Sequence, residues 1–77
     1  MNVLELKEYT KKHVVYLYQP EGRGDWGEVA YDFFSQTAKI KKRAGENSSW
    51  HDNKALSKIE EVAKGKELPL SFIQAWY

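Results

Sequence analysis

The alternation of hydrophobic and polar positions predicts three strands in the first part of the chain. Residues 13–19 carry apolar β-branched and aromatic side chains on both faces, which is typical of a strand buried on both sides. Residues 26–34 and 37–44 alternate between apolar and polar positions, as half-buried strands do. Ser35 and Gln36 form a short polar break between these two segments, so the second and third strands are predicted to form a hairpin.

An amphipathic helix is predicted from near Trp50 to Lys64. Its apolar residues recur at spacings of one, three and four and therefore share one stripe of the helix surface: Ala55, Leu56, Ile59, Val62 and Ala63. Ser49 and Asp52 have the spacing of a capping box, in which side chains bind free amides of the first helical turn. Gly65 is predicted to end the helix.

Two segments outside these elements are also predicted to be ordered. Residues 3–12 hold good helix formers after Asn2, and we expect a short helix here, although Leu4 and Leu6 also alternate as strand residues do. Residues 70–77 are apolar on both faces and are predicted to form a final strand. A right-handed crossover through the helix would place this strand parallel to an earlier one, inside the sheet.

Together these elements predict one small α+β domain over residues 1–77. We expect a small antiparallel sheet, built as a hairpin or meander, packed against one main helix and joined by the C-terminal strand. A chain of 77 residues leaves no room for a second core. The residues predicted to meet in the core are Val29, Tyr31, Phe33, Ile40, Leu56, Ile59, Val62 and Phe72.

Composition narrows the classes of function. Apolar residues make up 42% of the chain, with three Trp, five Tyr and three Phe, so the chain should fold rather than stay disordered. Twelve Lys and Arg against eleven Asp and Glu give a formal net charge of +1. The chain therefore lacks the strong overall positive charge that attracts nucleic acid or an anionic membrane. The chain has no Cys and only two His, and we expect no metal and no cofactor.

From the opening residues we expect no targeting signal. Glu5 introduces a charge by the fifth position, so the opening residues lack the apolar run of a secretory signal and the length of a membrane span. We therefore expect a cytoplasmic protein with no membrane association.

The basic segment with Lys39, Lys41 and Arg43 has two interpretations. Clustered basic residues can neutralise phosphates, so this segment is a candidate nucleic-acid contact. A hairpin turn centred on Ser35 and Gln36 would instead place Asp32 opposite Lys39 and Glu28 opposite Arg43, which pairs the charges on the outward face. We expect the paired arrangement, and nucleic-acid binding is therefore not favoured.

Aromatic residues also allow two interpretations. Tyr16, Tyr18, Trp26 and Tyr31 could form a stacking platform for single-stranded nucleic acid. A core this small needs large side chains, however, so we expect most aromatic residues to be buried. Trp26 and Trp50 lie next to turns and are the expected exceptions, which makes them candidate members of an interaction surface.

Trp50, His51 and Asp52 raise the hypothesis of an enzyme. An imidazole and a carboxylate can act as a base and the group that orients it. The chain offers no matching nucleophile, because it has no Cys and because helix capping accounts for Ser48 and Ser49. We therefore expect no catalytic residues and no enzyme.

Three segments carry a family resemblance that covers about residues 16–77. They are Tyr18-x-Pro20-Glu21-Gly22-x-Gly24-x-x-Gly27-Glu28-Val29-x-Tyr31-Asp32, Lys54-Ala55-Leu56-x-Lys58-Ile59-Glu60 and Ala75-Trp76-Tyr77. In these segments the chain resembles a group of short bacterial proteins of unknown function. The resemblance implies a bacterial origin and a compact arrangement of hairpin, helix and strand, and it assigns no site residues.

The sequence thus leads to one main hypothesis and two alternatives. We expect a non-enzymatic protein-interaction or regulatory module that binds another protein or a second copy of itself. The contact would be a sheet edge or a surface around Trp26, Trp50 and His51. One alternative is weak nucleic-acid binding through the strand of Lys39, Lys41 and Arg43, and the other is a small enzyme that uses His51.

Overall fold

The computed structural model describes residues 1–65 and 67–76. In these residues the chain forms a five-stranded antiparallel sheet with one helix packed on one face, which confirms the predicted α+β class. The strand order in the sheet is β4-β3-β2-β1-β5. The elements are β1 (Asn2–Tyr9), β2 (His13–Pro20), β3 (Gly27–Asp32), β4 (Thr37–Lys42), α1 (Ser49–Lys64) and β5 (Ser71–Gln74).

The central hairpin strands and the helix lie close to their predicted positions. The strands predicted over 13–19, 26–34 and 37–44 correspond to β2, β3 and β4. The predicted capping box is wrong in detail, because Ser48 rather than Ser49 occupies the N-cap position and makes no side-chain cap hydrogen bond. At the other end α1 stops at Lys64 and Gly65 follows it, as predicted.

The helix predicted for residues 3–12 is wrong, because this segment forms strand β1. The alternation of side chains decides the outcome: Leu4 is fully buried on the side of α1, whereas Glu5 is exposed on the opposite side. β1 pairs with β2 on one side and with β5 on the other. A helix of this length has little stability of its own. The hydrogen bonds of β1 to its two neighbouring strands and the burial of one of its faces therefore outweigh local helix propensity.

The final strand was predicted over 70–77, parallel to an earlier strand and inside the sheet. It is β5, a four-residue strand at the sheet edge, antiparallel to β1. The reason is the unexpected strand β1, whose free side offers β5 a partner at the far end of the sheet. Tyr77, the last residue of the predicted strand, lies outside the described residues.

The hairpin of β3 and β4 does not have the predicted register. Asp32 lies opposite Thr37, so the predicted pairing of Asp32 with Lys39 is wrong. The loop is centred one residue earlier than expected, because the Asp32 carboxylate accepts hydrogen bonds from the amides of Phe34 and Ser35, each at 2.9 Å. Asp32 therefore stabilises the turn rather than neutralising a neighbouring lysine.

The predicted pairing of Glu28 with Arg43 is wrong as well, because β4 contains a bulge. Val29 lies opposite Ile40, but Glu28 lies opposite Lys42, so β4 holds one extra residue between these two pairs. The bulge changes the side to which the following residues point. Arg43 consequently points towards α1, away from the side of the sheet on which Lys39 and Lys42 lie.

The core lies between α1 and the face of the sheet that packs against it. All eight predicted core residues belong to this cluster or pack against it, so the core prediction is confirmed. Tyr16 and Tyr18 of β2 are fully buried, and the hydroxyl of Tyr16 donates a hydrogen bond to the carbonyl of Pro69 at 2.7 Å. Fully buried hydrophobic side chains are Leu4, Val14, Tyr16, Tyr18, Val29, Ala55 and Ile59.

A cross-strand pair of Tyr18 and Gly27 shapes one end of the core. A Cβ atom added at Gly27 would lie 2.4 Å from Cζ of Tyr18, closer than any van der Waals contact allows. The absence of a side chain at Gly27 therefore leaves the space that the Tyr18 ring occupies. This position directs the Tyr18 hydroxyl towards α1.

We predict that Gly27→Ala destabilises the protein by about 1 to 3 kcal/mol, because the added methyl group displaces the Tyr18 ring. Chemical denaturation followed by circular dichroism measures the change. Gly45→Ala is the matched control, because a Cβ at Gly45 would meet no atom within 4 Å. Equal stability of the two variants would contradict the close contact at Gly27.

Candidate functional site

The carboxylate of Asp52 lies at the junction of the sheet and the start of α1. Asp52 is only 5% exposed and accepts a hydrogen bond from the hydroxyl of Tyr18. Arg43 Nε donates to Oδ2 at 2.9 Å, and the Ser48 hydroxyl lies 2.9 Å from Oδ1. Burial alone would raise the pKa of Asp52, but these three hydrogen bonds outweigh it and hold the pKa below its ordinary value.

Asp52 is therefore a structural group in this arrangement. Its carboxylate points into the protein, away from the neighbouring imidazole, so His51 and Asp52 do not form the base and orienting group of the enzyme hypothesis. Arg43 is also engaged here: its Nη2 donates to the carbonyl of Glu46 at 3.1 Å and to Ser49 Oγ at 3.0 Å. Arg43 is thus held at the helix start and does not join the outward lysines of β4.

His51 pairs with a carboxylate from the loop between β2 and β3. Its Nε2 lies 3.0 Å from Oε1 of Glu21, and the amino group of Met1 lies 2.7 Å from the same oxygen. The hydrogen bonds from His51 and the amino group lower the pKa of Glu21 to about 2. His51 also lines a shallow depression of about 260 Å³.

Trp50 lies on the outside of α1, as expected, with 61% of its surface exposed. Lys54 Nζ lies 4.8 Å from the Trp50 ring centre and 5.7 Å from that of Trp76. The Trp76 ring lies 5.6 Å from the His51 ring. We call Trp50, His51, Lys54 and Trp76 the tryptophan cluster. Its position beside the end of β5 is fixed by Gln74, whose Nε2 donates to the Lys54 carbonyl at 2.9 Å.

Trp26, the third predicted member of the surface, lies apart from this cluster. It is half-buried at the end of the loop that precedes β3, and the ring contacts of the described residues do not include it. The same loop reaches His51 through Glu21. The structure thus brings two of the three predicted residues together, Trp50 and His51, and adds Lys54 and Trp76, which sequence analysis did not select.

Lys39 and Arg43 do not have the acidic partners predicted for them. Glu28 instead receives a hydrogen bond from Lys7 Nζ at 2.9 Å, which lowers the pKa of Glu28. Within residues 1–65 and 67–76, Lys39 and Lys41 form no ion pair. Both line a cavity on the face of the sheet away from α1, which we call the open face.

The aromatic residues do not provide a stacking platform beside these lysines. Tyr16, Tyr18 and Tyr31 are buried in the core, as the second interpretation of their role predicted. The predicted nucleic-acid contact is thus reduced to Lys39 and Lys41 on the open face, because the tyrosines of β2 and β3 are buried and offer no exposed ring for stacking.

The two edges of the sheet differ in character. β4 carries three lysines, Lys39, Lys41 and Lys42, within its six residues. β5 carries no charged residue, and Ile73 within it is 63% exposed. Lysines on an edge strand discourage pairing with another chain, whereas a neutral edge lacks this protection. The β5 edge and the tryptophan cluster beside it are therefore the candidate interaction surface.

Other site types find no support in the described residues. No group of three His, Asp or Glu side chains lies close enough there to hold a metal ion, and α1 is too short and too polar to cross a membrane. Comparisons with protein-family models, curated proteins and solved structures find no match to the chain. The resemblance to short bacterial proteins stays a prediction.

We predict that Asp52→Asn destabilises the protein at neutral pH by about 1 to 3 kcal/mol, because a buried hydrogen-bonding group loses its charge. The pKa of Asp52 is lowered from 3.8 in the folded state, so its stabilising effect is present above pH 3.8 and is lost as pH falls through the lower folded value. The difference between the two proteins should therefore shrink in acid.

Urea denaturation from neutral pH to about pH 2.5 measures this difference. Asp25→Asn is the control, because Asp25 is exposed and should show little change in stability at any pH. A penalty for Asp52→Asn that stays constant across the whole pH range would contradict the role given to the ionised carboxylate.

Proposed function

We propose that this chain is a non-enzymatic protein-interaction module whose docking element is the free edge of β5. The occupant that the observations favour is β5 of a second copy of the chain. The observation that carries the proposal is the contrast between the two sheet edges, of which one is protected by lysines and the other carries no charged residue.

The main chain of β5 offers hydrogen-bonding groups for an added strand. Leu6 N donates to the carbonyl of Leu70 at 2.8 Å, which fixes the positions of β5 that bind β1. Because such positions alternate along an antiparallel strand, the N–H and C=O groups of Ser71 and Ile73 point away from β1. Two donors and two acceptors are thus directed towards the free edge.

Charge supports a second copy as the occupant. Residues 70–76 contain no Asp, Glu, Lys or Arg, so two β5 strands can approach in antiparallel orientation without repulsion. Two β4 strands would instead bring six lysines together, because each carries three. Pairing through β5 is therefore the arrangement that self-association favours.

Exposed apolar side chains lie around the β5 edge. Leu70 is 79% exposed and Ile73 is 63% exposed, and Trp50 of the tryptophan cluster lies beside the end of the strand. A second strand would cover part of this surface on both faces of the sheet. Because β5 has only four residues, we expect reversible, concentration-dependent association rather than an obligate dimer.

We predict that the purified chain forms a dimer as concentration rises and that Ile73→Pro shifts it to the monomer. Proline removes the outward N–H of residue 73 but leaves the hydrogen bonds between β1 and β5, because that N–H points to the free edge. Size-exclusion chromatography with light scattering and sedimentation velocity measure the species present over a range of about 10 µM to 1 mM.

Ile73→Thr is the matched control, because threonine keeps the N–H and the β-branched shape. It should retain more of the dimer than the proline variant. A wild-type chain that stays monomeric over the whole range would contradict pairing of two copies. A dimer that Ile73→Pro leaves unchanged would place the contact elsewhere and would also overturn the proposal.

A further inference from the structure

A cavity of about 290 Å³ lies on the open face of the sheet, at the end opposite the tryptophan cluster. Strands β2, β3 and β4 and the loop between β3 and β4 surround it. This volume is near the lower end of the range in which proteins bind small molecules. Its lining residues are His13, Val15, Ala30, Tyr31, Asp32, Ser35, Thr37, Lys39 and Lys41.

The cavity follows from the register of the three strands. Val15 lies opposite Ala30, and Ala30 lies opposite Lys39, so these three residues form one row across the sheet. Ala30 is the smallest member, and its methyl group leaves a depression between the two larger side chains. Val15 and Ala30 are buried and form an apolar floor.

Hydrogen-bond donors surround this floor along β4 and the preceding loop. The hydroxyls of Ser35 and Thr37 lie 2.7 Å apart, and Lys39 and Lys41 line the same cavity. Ammonium groups and hydroxyls are groups with which proteins bind phosphate oxygens. Neither lysine forms an ion pair among the residues described.

Each acidic residue near these lysines has another partner. Glu8 contacts His13, and Glu28 contacts Lys7. Asp32, which lines the cavity itself, accepts hydrogen bonds from two amides of the loop. The lining of the cavity thus holds two lysines and one carboxylate, and that carboxylate is already engaged by the loop.

We propose that this open-face cavity binds the phosphate group of a small phosphomonoester. Lys39 and Lys41 contact the phosphate oxygens, the hydroxyls of Ser35 and Thr37 complete their coordination, and the apolar part of the ligand lies on Val15 and Ala30. The site is independent of the β5 edge, which lies on the opposite side of the sheet.

Titrations followed by ¹H–¹⁵N NMR at constant ionic strength test this site. The probes are inorganic phosphate, phenyl phosphate and a short single-stranded oligonucleotide. We expect saturable shifts of the amides of residues 13, 30 and 35–41 with both small ligands. Phenyl phosphate should bind about threefold or more tightly than inorganic phosphate, because its ring contacts the apolar floor.

Three variants separate charge from shape. Combined Lys39→Gln and Lys41→Gln substitutions should weaken phenyl phosphate binding by about tenfold or more, because both charged contacts are lost. Ala30→Leu should abolish binding by filling the depression, with the amide spectrum showing that the fold is kept. Lys64→Gln, an exposed lysine at the end of α1, is the control and should change affinity by less than about twofold.

Several results would overturn the proposal. Shifts that rise without saturation, or that the double lysine variant leaves unchanged, would show only weak adventitious anion contact. Binding that Ala30→Leu keeps would show that the cavity is not the site. If the oligonucleotide binds far more tightly than phenyl phosphate and with a steep salt dependence, the ligand is nucleic acid and the proposal of a small phosphomonoester is wrong.

Discussion

The ionised carboxylate of Asp52 holds the parts of this small fold together. It is buried and receives hydrogen bonds from the central sheet through Tyr18 and from the segment after β4 through Arg43. Its position depends on Gly27, which leaves room for the Tyr18 ring, and on the bulge that turns Arg43 towards α1. Because a buried charge without partners is very costly, these elements must be correctly placed at the same time.

Local patterns predicted most of the fold, and long-range pairing produced the differences. The continuous apolar run of β2 is typical of a buried strand, and the single apolar stripe of α1 is typical of an amphipathic helix. Both predictions are confirmed. Residues 3–12 were ambiguous, because their helix propensity and their alternation disagree and only neighbouring strands decide between them. The location of β5 depends on that decision. The alternation of residues in β4 does not indicate its bulge. The bulge turns Arg43 towards Asp52 of α1, a contact between two elements that the pattern of one strand cannot predict.

The candidate surfaces were predictable only in part, for a related reason. The exposure of Trp50 follows from its place at the start of a helix, and its contact with Lys54 follows from their spacing of four residues. The contact of His51 with Trp76 joins residues 25 positions apart and requires the fold. Among the described residues Lys39 forms no ion pair, and this too depends on the loop register, which Asp32 sets by accepting hydrogen bonds from backbone amides.

The place of β1 in the sheet has a consequence for the order of folding. β1 to β4 form a meander of neighbouring hairpins, whereas Asn2 and Gln74, which pair across β1 and β5, are separated by 72 residues. Closing so long a loop costs more entropy than forming a hairpin, so the last strand is expected to dock late. Until then the outer side of β1 is open to solvent, so a chain whose last strand has not docked exposes an edge that the native protein covers.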